Sequence, residues 1–356
     1  MTSSDGPRAV EAVGGWRAVL GELVEGRDLS GDQAAAALAT ILAGEATDAQ
    51  VAAFIVALRL KGETVEEVAG MVGAMLEAAA PLDLPPGTID VVGTGGSPRR
   101  RVKALNVSTM ACVVAAAAGA TVCKHGNLKA SSTSGSFDLL GSLGVGYDLD
   151  GAALAAVVRD VGLGFCFARA YHPAMRHAGP VRAELGVPTV FNLLGPLSHP
   201  GRVTRQVVGV GDVRAIDLVA GALAARGSEH ALVVHGHGSL DELALTGPTE
   251  VREVREGAVA GSWRVAPADV GLATVAADDL PGGGADENAA IARHVLGGGT
   301  GPARDIVVLN AGAALVVAGL APDLAAGVEA AAAALDDGRA EAKLDQVRAR
   351  TAPRPD

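Results

Sequence analysis

Residues 89–96, Ile89-Asp90-Val91-Val92-Gly93-Thr94-Gly95-Gly96, set a short apolar run directly before a glycine-rich turn. Such a run reads as a buried strand, and glycines at its end let main-chain N–H groups approach an anion with no Cβ in the way. The pattern repeats at once, where residues 120–123 run into Lys124-His125-Gly126-Asn127. Between the two turns, Asn106-Val107-Ser108-Thr109 opens an Ala-rich and Val-rich helix predicted over 110–118. Residues 206–210, 231–234 and 306–309 read as further buried strands, and Ala-rich helical stretches separate them. Strands alternating with helices predict an α/β domain with a mostly parallel central sheet. Ligands of such sheets bind beyond the carboxyl ends of the strands, where both polar turns fall.

Upstream of residue 81 the texture is helical. Ser30-x-x-Gln33, Thr47-x-x-Gln50 and Thr64-x-x-Glu67 each have the capping-box pattern, in which hydroxyl and long polar side chain cap reciprocally. Val51, Phe54, Ile55 and Leu58 follow the second start at one-face helical spacing, and Val68, Met71, Val72 and Met75 follow the third. Residues 81–87, PLDLPPG, break the pattern and are the expected linker. The glycine runs at 282–284 and 297–299 are expected loops.

Hydrophobic residues make up 49% of the 356 and charged residues 19%, enough for a packed core and unlike a disordered chain. The net charge of −11 argues against a nucleic-acid binder, which needs basic surface, though not against one basic pocket. Cys112, Cys123 and Cys166 show no zinc spacing and read as reduced, buried thiols of a cytoplasmic protein. No signal peptide and no membrane span is expected, because the apolar stretches are broken by charges or glycines.

Several groups carry candidate chemistry. Ser108 and Thr109 at a helix start offer hydroxyls beside the positive dipole end, and ordinary N-capping is the alternative. Lys124 and the run Ser131-Ser132-Thr133-Ser134-Gly135-Ser136 gather donors for a polyanion; a solvated turn is the alternative. Asp241-Glu242, set among glycines, suits Mg²⁺, which binds through one or two carboxylates and substrate phosphates. An exposed acidic pair is the plainer reading. Arg176, His177 and Arg182 lie in YHPAMRHAGPVR, where an arginine can grip a carboxylate through two parallel hydrogen bonds.

At these residues the chain resembles the anthranilate phosphoribosyltransferase family. GTGG, NVST, KHGN with its serine-rich run, YHPAMRHAGPVR with TVFNLLGPLSHP, and VVHGHGSLDEL occur in that family's order. The likeness extends to the helical start and to the tail RDIVVLNAGAALVVAG, from about residue 18 to about residue 345.

The resemblance implies a nucleoside phosphorylase/phosphoribosyltransferase-type fold. A small helical domain, 1–83, would be joined by helices from about 171–190, and 84–356 would form a larger α/β domain binding the phosphoribosyl donor. It also implies a homodimer. Phosphoribosyl pyrophosphate would meet Gly93, Gly96, Ser97, Asn106, Ser108, Thr109, Lys124, His125, Gly126, Asn127, Ser132 and Ser136. Ser108, Asp241 and Glu242 would hold Mg²⁺, and Lys124 would join the acidic pair in catalysis. Gly93, Asn127, His172 and Arg182 would bind the aromatic acid, with Arg182 facing its carboxylate.

The chain differs from the family pattern at Ser97, Ala104 and Leu128, and its loop 97–105 is longer and carries Arg99, Arg100, Arg101 and Lys103. The function implied is Mg²⁺-dependent transfer of the phosphoribosyl group to anthranilate in tryptophan biosynthesis. Two other readings stay open. One is a phosphoribosyltransferase with another aromatic acid acceptor in a specialised pathway. The other is a non-catalytic paralogue that binds a ligand or nucleic acid.

Overall fold

A computed structural model describes residues 9–95, 105–128 and 134–352. Gly96, Ser97, Ser132, Ala104 and the arginines of the basic loop lie outside the described residues.

The first lobe is helical, with α1 (Gly15–Val24), α2 (Gly31–Ala43), α3 (Asp48–Lys61) and α4 (Val65–Glu77). Each expected capping box forms. At the first, Ser30 Oγ accepts from Gln33 N at 3.2 Å and Gln33 Oε1 accepts from Ser30 N at 2.9 Å. Thr47 with Gln50 and Thr64 with Glu67 repeat it. Both apolar stripes are buried. The stretch 81–87 has no regular structure and leads to the sheet.

The second lobe begins with β1 (Ile89–Gly93), α5 (Val107–Ala117), β2 (Val122–Gly126), α6 (Ser136–Ser142), α7 (Gly151–Val161) and β3 (Leu163–Phe167). The chain then makes α8 (Ala168–Tyr171), a 3-10 turn (Pro173–His177), α9 (Gly179–Leu185) and α10 (Phe191–Leu197). That 3-10 turn packs on α2, α9 on α3 and α10 on α4, so this mid-chain segment rests on the helical lobe. The sheet resumes with β4 (Arg205–Gly209), α11 (Ile216–Ala225), β5 (His230–His235), β6 (Thr249–Arg255) and β7 (Ala258–Val265). Helices follow it: α12 (Ala285–Leu296), α13 (Pro302–Val317), α14 (Leu324–Asp336) and α15 (Arg339–Thr351).

The sheet order is β3-β2-β1-β4-β5-β6-β7, with β1 to β5 parallel and β6 and β7 an antiparallel hairpin at the edge. The order reverses between β1 and β4, so their carboxyl ends flank the crevice where such sheets bind ligands. One core packs α5, α12, α13, α14 and α15 against one face. A second runs from the helical lobe through α11 onto the other face, joining the lobes through continuous apolar packing.

One expected strand is not a strand. Residues 306–309 lie inside α13, which is buried on nearly every side. A short β-branched run looks the same in a buried helix as in a buried strand. Pro302 in the first turn and Asp305 near the start mark the helix. The second polar turn is also shifted: β2 continues through Lys124, His125 and Gly126, so the first two side chains leave from a strand.

Candidate active site

The glycine turn after β1 and the acidic pair meet directly. Asp241 Oδ2 accepts from the main-chain N–H of Gly95 at 2.9 Å. A Cβ on Gly93 would overlap that carboxylate, and one on Gly209 would overlap the main chain of Asp241. Glycine at the carboxyl ends of β1 and β4 therefore lets the acidic loop lie across both strands. Thr94 completes the tie, donating its N–H to Gly209 O at 2.8 Å and accepting from Gly211 N at 3.2 Å.

The acidic pair is buried, not the solvated pair that composition alone would suggest. Asn310 of α13 fixes the main chain beside it, its amide accepting from Leu243 N at 2.9 Å and donating to Leu243 O at 3.0 Å. Asn310 was not legible as a site residue, because it sits in an apolar run that resembled a strand.

α5 starts beyond the glycine turn and points its N-terminus at the same edge. Asn106 occupies the cap position without a side-chain cap. Its Oδ1 instead accepts from Asn288 Nδ2 of α12 at 2.9 Å and from Ser134 Oγ at 3.1 Å. Ser108 and Thr109 stand in the first turn, and the buried Thr109 hydroxyl has no partner among the described residues. It is thus not an N-cap.

On β2, Lys124 is 2% exposed and its ammonium donates to Val91 O at 2.6 Å. Gly126 lies so close to Ser136 that a Cβ would overlap the hydroxyl, and Ser136 Oγ donates to Asn127 O at 3.3 Å. Asn127 is exposed. The Lys-His-Gly-Asn segment and the acidic pair therefore share one edge of the sheet.

His125 faces away from that group. Its ring lies 5.3 Å from that of His172 and 5.5 Å from that of His199. Burial holds all three below the usual histidine range, His172 and His199 at about 4, so each is a neutral imidazole at pH 7. His125 thus meets a donor through its main chain or not at all. Arg182 is placed on the other lobe, on α9, with its guanidinium 4.9 Å over the Phe191 ring. Burial pulls its pKa down from the ordinary arginine value. Arg176 donates to Pro173 O at 3.5 Å.

The donor set at the acidic pair is all oxygen, which suits Mg²⁺. Among the described residues no group of three His, Cys, Asp or Glu is arranged to hold a metal ion, so two carboxylates are the acidic ligands on offer. That number fits an ion that completes its shell from water and substrate phosphate. Glycine at 93 keeps any side chain from standing between the turn and the Asp241 carboxylate, the group that would face such an ion.

Similarity to known proteins extends over most of the chain. Residues 17–79 match the glycosyl transferase family, helical bundle domain, and residues 85–341 match the glycosyl transferase family, a/b domain. An anthranilate phosphoribosyltransferase of a Nocardioides species is 51% identical over 342 residues, covering 95% of this chain and 99% of that protein. The crystal structure of anthranilate phosphoribosyltransferase from Thermus thermophilus superposes with a TM-score of 0.88 at 42% identity, covering 94% of this chain and 99% of that one. The Saccharomyces cerevisiae enzyme in complex with PRPP and Mg superposes with a TM-score of 0.86 at 28% identity, covering 96% and 98%.

Proposed function

The chain belongs to the anthranilate phosphoribosyltransferase family, and from that premise we propose that it transfers the phosphoribosyl group of phosphoribosyl pyrophosphate to anthranilate. The products are N-(5-phosphoribosyl)anthranilate and pyrophosphate, and the step belongs to tryptophan biosynthesis. The observation that carries the assignment is the contact of Gly95 N–H with Asp241, which sets a metal-ready acidic pair against an anion-ready turn.

Ser108, Asp241 and Glu242 would hold Mg²⁺. When bound, the ion neutralises charge that grows on pyrophosphate as the glycosidic bond breaks. The rest is done by the chain. N–H groups of the glycine turn, the α5 dipole and the Lys124 ammonium stabilise the leaving diphosphate. Asn106, Thr109, Asn127 and Ser136 orient the donor, with Gly96, Ser97 and Ser132 completing the set. Arg182 grips the acceptor's carboxylate, and Asn127 and His172 line the ring. The acceptor amine attacks the anomeric carbon as the bond to pyrophosphate breaks, and its proton is then lost. Holding both reactants in line supplies much of the rate. No covalent intermediate on the protein is needed.

We assign residues 1–83, with the helices near 171–190, to the acceptor lobe and 84–356 to the donor lobe. A homodimer fits the exposed Val24, Val56 and Leu60 on α1 and α3, the last 82% exposed. Cytoplasmic placement fits three free, buried cysteines. Among the described residues no helix is long and apolar enough to cross a membrane. The function is tested by pyrophosphate release with anthranilate and with other aromatic acids. Anthranilate is expected to give the highest kcat/KM; turnover with a different acid alone would overturn the assignment.

A further inference from the structure

β1 and β2 form a ladder only at their first rung. Ile89 pairs with Val122, and Ile89 N–H donates to Thr121 O at 2.9 Å. The other sides of both strands differ. β1 matches β4 from Ile89 to Gly93, and β2 matches β3 from Val122 to Gly126.

A continuing parallel ladder would join Val91 N–H to Cys123 O and His125 N–H to Val91 O. Buried main-chain groups must find partners, and here side chains supply them. The Asp90 carboxylate accepts from His125 N at 3.0 Å through Oδ1, while its buried Oδ2 has no hydrogen-bond partner among the described residues. Lys124 Nζ donates to Val91 O, and His199 Nε2 pairs with Cys123 O at 2.9 Å. The His199 tautomer follows, since its Nδ1 accepts from Gly201 N at 3.0 Å. The seam thus opens toward the carboxyl ends, beneath the glycine turn.

This is a costly way to make a sheet. Asp90 is fully buried and Lys124 nearly so, whereas an ordinary rung would need no charge. Lys124 is the cation whose field bears on Asp90, and the nearby Cys112 thiol, pushed up to about 12, adds no charge. Burial lifts the Asp90 carboxyl to about 7 even so.

We propose that Asp90 is a positioning residue of the donor site that acts through Lys124. Its carboxylate holds the seam apart and balances the ammonium, keeping that charge under the turn where the donor's diphosphate arrives. The proposal rests on the reading of Lys124 as a donor-binding residue.

The test is a double-mutant cycle at pH 8 with Asp90→Asn, Lys124→Met and the pair. Asparagine can still accept from the main chain but carries no charge. Asp90→Asn is expected to lower kcat/KM for phosphoribosyl pyrophosphate at least about tenfold, with the anthranilate KM within about twofold. The double variant should be no worse than Lys124→Met. Losses that multiply, or equal losses for both substrates, would overturn the proposal.

Stability gives a second arm if Asp90→Asn folds poorly. Lys124→Met in that background should raise the urea midpoint, because it removes an unbalanced buried ammonium; no recovery would overturn the proposal. Lys124→Met without effect on the donor KM would instead fault the assignment of Lys124, and the proposal with it.

Discussion

The main-chain N–H of Gly95 and the Oδ2 of Asp241 lie 2.9 Å apart, joining a turn after β1 to a loop after β5. Strand order explains the meeting: β4 alone separates the two strands, and its terminal Gly209 leaves room for the loop to cross.

Asp241→Asn preserves an acceptor for Gly95 N–H while removing the charge that would face the metal. Pyrophosphate release at saturating Mg²⁺ is expected to fall about a hundredfold or more, with a near-unchanged melting temperature. Activity within about threefold of the parent would remove Asp241 from the metal site.

Arg182→Ala removes the proposed carboxylate grip. The anthranilate KM should rise between about tenfold and a hundredfold, the worth of hydrogen bonds to a charged group, while the donor KM stays put. Arg182→Lys should recover little, because an ammonium cannot offer a planar fork. Parallel loss of both affinities would contradict the lobe assignment.

Glu67 ties three segments together without touching the site. Its Oε1 accepts from Leu29 N at 2.8 Å, and its Oε2 accepts from Thr64 N at 2.8 Å and from the buried Lys61 ammonium at 3.0 Å. Glu67→Ala leaves that ammonium without its buried partner and should lower unfolding stability by about 3–5 kcal/mol. Glu67→Gln keeps only one of the two main-chain bonds, because its amide nitrogen cannot accept, but its oxygen can still take the Thr64 N–H and the ammonium, so it should cost less. Urea unfolding separates the two.

The histidine cluster gives stability a pH dependence. Folded pKa values near 4 for His172 and His199, with His125 also low, mean that the unfolded chain binds more protons from pH 6.5 down to about 4. Their contribution is complete above the unfolded pKa and is lost as pH falls through that window. Asp90, raised to about 7, works in the opposite sense across most of it, but it is one group against three. Stability should therefore climb with pH between about 4.5 and 6.5, by about 1.4 kcal/mol per unit for each net proton. His199→Asn should flatten the climb by about one such step; an unchanged slope in urea midpoints would rule the cluster out.

Much of this architecture was legible because its causes are local. Capping boxes at Ser30, Thr47 and Thr64, the proline break at 81–87 and two polar turns after apolar runs each report through neighbours in sequence. What stayed hidden depends on distant partners. Residues 306–309 are one case: they carry strand chemistry but are enclosed by α14 and α5 as a helix. The β6–β7 hairpin turns at Glu256-Gly257, both at positive φ, a weaker signature than Asn-Gly or Asp-Gly. Lys124 and His125 follow one another in sequence yet serve different surroundings, since neighbours in a strand point to opposite faces. Asn310, Asn288, Asp90 and His199 act on main chain or side chains far away along the sequence, and nothing local distinguishes them.

Where the donor's diphosphate binds is the central claim. A crystal structure with phosphoribosyl pyrophosphate and Mg²⁺ is expected to show it at the carboxyl edge, between the turn after β1, Lys124 and the Asp241-Glu242 pair. Diphosphate bound instead at the opposite edge, in the cavity of about 540 Å³ lined by Arg205, His230 and Arg255, would contradict it.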